Sequence, residues 1–161
     1  MDWTVLLPFV KSLGNTAFAL WLGQATWRIA GLLTIHLFGL TLLLGAVMVS
    51  SLRLMGLFLC DRPIAEVRRI TGPAAIAGLL IMIASGALIF TGGAEAYYAG
   101  YWFRLKMVLL IIAIAFHFTI ARAIAYAQAG RFPALVNALT GLVGLLLWFS
   151  VGWAGRAIAF F

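Results

Sequence analysis

Between Arg28 and Arg53 the chain runs for 24 residues, Ile29 to Leu52, without one charged side chain. At ~1.5 Å of rise per residue, a helix of that length exceeds the ~30 Å hydrocarbon core of a bilayer. Three further apolar runs follow, at about 74–91, 103–127 and 134–158, and the first is taken as 28–55. With 65% of its 161 residues hydrophobic and 9% charged, the chain lacks the polar surface that a soluble globule of this size needs. We therefore expect one membrane domain over residues 1–161, all-α, folded as an up-down transmembrane four-helix bundle. Residues 1–27 are expected to form a short interfacial segment, broken by Pro8, Gly14 and Asn15, with Trp3, Trp21 and Trp27 at headgroup level. No early cationic cluster precedes that segment, so it does not read as a cleaved signal peptide.

The connections carry the punctuation. Cys60 to Gly72 holds Asp61, Arg62, Glu66, Arg68 and Arg69 and reads as a solvated link, after which Pro73 suits the first turn of the second span. Thr91, Gly92 and Gly93 break that span, and Glu95 to Trp102 is an aromatic interfacial loop. Gly130, Arg131 and Pro133 mark the last turn. Glycines at 141, 144, 152 and 155 allow close helix approach in the fourth span.

Eleven Lys and Arg against four Asp and Glu give a charge of +7, but the cations sit at the ends of apolar runs as membrane anchors. No basic patch suited to nucleic acid results. The arginines at 62, 68 and 69 crowd one connection, which places that connection in the cytoplasm and both termini on the periplasmic side of a bacterial inner membrane. The single Cys60 rules out an internal disulfide, and no CxxC, CxxCH or Cys/His set offers a self-contained zinc, iron–sulfur or covalent haem site.

His36 and His117, the only histidines, fall in the first and third spans. A buried imidazole needs a ligand or a hydrogen bond, because an unsatisfied polar group in hydrocarbon costs several kcal/mol. His36 lies eight residues past Arg28, about 12 Å, and His117 lies eleven past Lys106, about 16 Å, so the two are expected at similar depth. Diagonal helices of such a bundle stand about 14 Å apart, too wide for a bare ion and suited to a macrocycle. Gly39, Ala113 and Ala121 beside the histidines would leave room for a flat ring. One low-spin haem b with His36 and His117 as axial metal ligands is expected on this reading, with Arg28 and Lys106 meeting its propionates. Thr34, Thr41, Ser85 and Thr119 are equally available as hydrogen-bond partners for either imidazole.

The stretches IHLFGLTLLLG (35–45), SLRLMGL (51–57), YWFRLKMVLL (101–110) and LLLWFSVGWAGRAIAF (145–160) resemble a family of small, uncharacterised bacterial four-helix membrane proteins. In that family the His before a Gly-rich run, the LRLxG element, the FRLK start and the AGR near the end recur, here at His36, Arg53, Arg104 with Lys106, and Arg156. An acidic residue that often stands three before the first His is replaced by Leu33. The paired histidines are similar to those of b-type cytochromes, which implies electron transfer between the quinone pool and a periplasmic redox protein or metalloprotein docked at Tyr97–Trp102. A non-redox membrane subunit, or a small-solute or copper permease with histidines along a polar path, is the alternative. Either form could assemble as a homo- or hetero-oligomer.

Overall fold

The computed structural model describes residues 3–127, 131–158 and 160; Gly130 and the Trp3 side chain lie outside the described residues. A 3-10 turn at Trp3–Leu6 leads into α1 (Leu7–Gly14) and α2 (Ala17–Gly23). The long helices α3 (Thr26–Leu54) and α4 (Ile64–Thr91) follow, then the short α5 (Ala94–Ala99). The chain continues through α6 (Tyr101–Phe118) and α7 (Ile120–Ala125) to α8 (Ala134–Ala157). Four stretches, Thr26–Leu54, Ile64–Thr91, Tyr101–Ala125 and Ala134–Ala157, are long and apolar enough to cross a membrane. They are the antiparallel four-helix bundle expected of a multi-pass membrane protein.

Packing is uneven around the ring. The helix α3 lies against both α4 and α8, and α8 lies against α6, while α4 reaches the third span mainly at α7. Gly39 and Gly78 explain the tightest of these seams. A Cβ on Gly78 would lie 2.6 Å from the Leu43 amide nitrogen, and one on Gly39 would lie 2.7 Å from Ile81 Cγ2. Only hydrogen at both positions lets the backbones meet. Leu43, Val47, Leu79, Met82, Ala113, Trp148 and Val151 fill the centre.

Several boundaries differ from the sequence expectation. The helix α4 starts at Ile64, ten residues before the expected start, so Pro73 lies inside it and Glu66 in its first turn. The charged segment folds as a helical extension because Pro63 can precede a helix while Glu66 pairs with Arg62 at 3.0 Å. Thr119, at φ −106° and ψ −82°, interrupts the third span that was expected to be continuous. The LRLxG element ends α3: Gly56 adopts φ +72°, and Leu57 N–H donates to the Leu52 carbonyl, a left-handed glycine cap. Arg53 Nε then donates to the Arg62 carbonyl at 2.6 Å and closes the loop.

The N-terminal segment docks on the bundle end that carries the chain termini. Val10 of α1 packs with Ala94 and Tyr98 of α5, and Leu22 of α2 is fully buried. The aromatic loop is also turned inward in part: Tyr97 stacks near Phe90 and Phe103, and Tyr98 is buried, leaving Tyr101 as its exposed ring. Much of its aromatic content therefore serves packing.

Candidate functional site

Ser85 brings His36 its partner. The His36 Nδ1 lies 2.9 Å from Ser85 Oγ, and Ser85 Oγ lies 2.6 Å from the Ile81 carbonyl one turn back. A carbonyl can only accept, so the serine proton goes to Ile81 and its lone pair receives His36 Nδ1–H. That assignment leaves the Nε2 lone pair of a neutral His36 open to a proton donor or a metal. Gly86 makes the approach possible, since a Cβ there would lie 3.2 Å from His36 Cε1. Lys106 of α6 is within Coulombic reach of the ring.

Lys106 is half-buried, and its Nζ would sit 3.1 Å from a Cβ on Gly155, so the ammonium lies against the last turn of α8. Arg28 is elsewhere: its guanidinium lies 4.1 Å from the Trp21 ring centroid and donates to the Trp21 carbonyl, tying α2 to α3. It anchors the N-terminal segment, and its buried Nε has no partner among the described residues.

His117 occupies another level of the bundle. On α8, a Cβ at Gly144 would lie 3.5 Å from Ser51 Oγ on α3 and 3.6 Å from Phe116 Cε1 on α6, which aligns these three residues. His117 follows Phe116, so it stands level with Ser51, fifteen residues beyond His36 on α3 or about 22 Å. The contacts of α4 agree: Ser85 meets His36, whereas Arg68, seventeen residues earlier, donates from Nη2 to the His117 carbonyl at 2.8 Å. The depth match inferred from Arg28 and Lys106 is thus corrected, because the helices are staggered: Phe103 of α6 stacks on Phe90 of α4, five residues past Ser85, so Lys106 stands near the level of His36 and not of Arg28.

Two axial ligands of one iron must lie within about 4 Å of each other, twice an Fe–N bond of the ~2 Å typical of imidazole ligands. His36 and His117 are not brought together for that purpose, nor to share a bare metal ion. Gly39 is filled by its seam with Gly78 and Ile81, and Ala113 is 0% exposed in the core, so neither leaves a slot for a macrocycle. Ala121 is buried too. Among the described residues no three His, Cys, Asp or Glu side chains cluster as a metal site.

What surrounds His117 is aromatic and cationic. Its ring meets Trp148 edge-on at 6.0 Å, and the buried Trp148 Nε1–H has no partner among the described residues. Arg68 is 7% exposed, and sequence reasoning placed it in a solvated link. The signal that could have found it was a helical one: Val67, Arg68, Thr71 and Ala75 share a face.

No curated protein and no solved structure matches the chain. Over residues 12–161, including the His36, Lys106 and His117 positions just described, it matches one family model, and the chain belongs to the family described as Family of unknown function (DUF6644).

Proposed function

We propose that the protein is an electron-transport subunit of the bacterial inner membrane that engages the quinone pool at a site made by His36, Ser85 and Lys106. The observation that carries this reading is the His36–Ser85–Ile81 arrangement, which leaves Nε2 as an acceptor with the half-buried Lys106 ammonium within Coulombic reach. A quinol headgroup offers one hydroxyl to Nε2 and its opposite oxygen to Lys106 Nζ. Oxidation of the quinol releases two electrons and two protons; Nε2 takes one proton, the other passes to water on the periplasmic side, and the electrons pass to a redox protein on that side. The termini face that side, with the arginine-rich connection in the cytoplasm.

A second reading keeps the same imidazole and changes the ligand. An imidazole whose Nδ1–H is held by a neighbour is the arrangement that orients Nε2 toward a metal, so haem b with His36 as its single protein ligand is supported by the same hydrogen bond. His117 has no part in it.

The test uses the full chain in detergent. Its visible spectrum is recorded oxidised and reduced, and a short-chain quinone analogue is titrated against tryptophan fluorescence. The quinone reading expects no Soret band, saturable binding, and at least a tenfold loss of affinity in His36→Ala and Lys106→Met but not in His117→Ala. A Soret band lost in His36→Ala alone replaces quinone by haem. Absence of both signals, or an equal loss in His117→Ala, ends both readings.

A further inference from the structure

The opposite end of the bundle carries a second cationic site that the quinone reading does not use. Arg68 is 7% exposed, and among the described residues its one hydrogen bond is to the neutral carbonyl of His117 at 2.8 Å. The charged or polar groups that act on it from the neighbouring helices are Tyr126 and Arg122, both on the chain after the Thr119 break. The carboxylates Asp61 and Glu66 are paired with Arg62 instead. A buried guanidinium without an acid is costly unless an anion from outside completes it.

An opening exists where that anion would enter. Phe118, Thr119, Arg122, Ala123 and Tyr126 line a shallow, largely open cleft of about 420 Å³. The break at Thr119 creates it, since the helix axis is interrupted just where Arg122 and Tyr126 turn together, 5.9 Å from guanidinium carbon to ring centroid. Arg68 stands behind this wall on α4, bonded one residue before Phe118.

We propose that this cleft holds the phosphate of an anionic phospholipid, with Arg122 at its mouth, Arg68 behind it and the Tyr126 hydroxyl as a further donor. Guanidinium groups suit phosphate because their planar N–H pairs match two oxygens at once. The position favours a lipid over a free ion. The site is level with Ser51 near the end of α3, about 22 Å along the bundle from His36, where the long helices leave hydrocarbon for headgroups. Exposed Ile120 and the half-buried Phe118 beside the cleft offer apolar surface for acyl chains.

The probe is phosphatidylglycerol, added to the delipidated full chain in a neutral detergent and followed by native mass spectrometry and thermal unfolding. Phosphatidylcholine of the same chain length and inorganic phosphate serve as the other arms. The expected result is retained phosphatidylglycerol and a raised unfolding temperature, with neither effect from the other two. Arg122→Gln, at an exposed position that the fold does not need, lowers the phosphatidylglycerol affinity about five- to tenfold, whereas Arg69→Gln, exposed on α4, leaves it unchanged. The proposal is overturned if phosphatidylcholine or free phosphate reproduces the effect, or if Arg122→Gln and Arg69→Gln behave alike.

Discussion

Ser85 on α4 accepts a hydrogen bond from His36 on α3 and donates its own to the Ile81 carbonyl, and with the Met82 backbone, which also bonds the ring, it fixes the tautomer and the heading of an imidazole inside the bundle. Side-chain hydrogen bonds between membrane helices average about 0.6 kcal/mol and reach about 1.7 kcal/mol. Ser85→Ala therefore lowers unfolding stability in detergent by that order while the helix content measured by circular dichroism stays constant. Ligand affinity at His36 falls with it, because the imidazole is free to rotate. A variant with full stability and full affinity would show that the relay is incidental.

The Gly78 seam gives the opposite kind of sensitivity. Its nearest neighbours are the Leu43 and Gly39 backbones, which cannot step aside as a side chain does. Gly78→Val is expected to cost about 1–3 kcal/mol or to part α3 from α4. Gly31 lies earlier in α3 with nothing within 4 Å of an added Cβ, so Gly31→Ala is neutral or stabilises by about 0.5–1 kcal/mol. Thermal unfolding of the two variants side by side distinguishes the seam from a general intolerance of the helix to side chains.

How far the sequence could be read follows from these particular residues. The charge-free runs locate four spans, since no other environment accepts them, and the antiparallel order follows from short connections. Depth was harder. Lys106 follows Arg104 at the start of a run and so reads as an interface anchor, yet a lysine can fold its stem against a glycine, here Gly155, and keep its ammonium inside. The start of α6 also stands near the level of His36, with Phe103 stacked on Phe90, and that stagger carries His117 several turns beyond His36. Gly39 reads as room beside a histidine, but a glycine is equally a seam, and only the partner helix says which. Arg68 reads as solvated because its neighbours Arg62, Glu66 and Arg69 are; its burial depends on α6 and α7, which lie some fifty residues away in sequence.

Trp148 tests the core beside His117. It is 1% exposed, and its indole N–H has no partner among the described residues. Trp148→Ala removes the largest buried side chain and is expected to cost about 3–5 kcal/mol. Trp148→Phe keeps the ring contact with His117 and forfeits no hydrogen bond, so it costs less than half as much. Equal losses in the two variants would mean that an unseen partner of the N–H matters more than volume.

Gly155→Ala separates the placement of Lys106 from the stability of the bundle. An added methyl would come within 3.1 Å of Lys106 Nζ and 3.3 Å of its Cε, both at the far end of a flexible side chain. The helix α8 has no reason to move, and alanine is the better helix former, so unfolding stability holds or rises slightly. The ammonium must give way by a few tenths of an ångström, which shifts the positive charge near His36. Quinone-analogue affinity is then expected to fall about fivefold, which corresponds to roughly 1 kcal/mol. Combining Gly155→Ala with Lys106→Met supplies the check: once the ammonium is gone the methyl has nothing to displace, so the double variant binds no more weakly than Lys106→Met alone. A further loss in the double variant would mean that the methyl acts on the helix packing and not through Lys106.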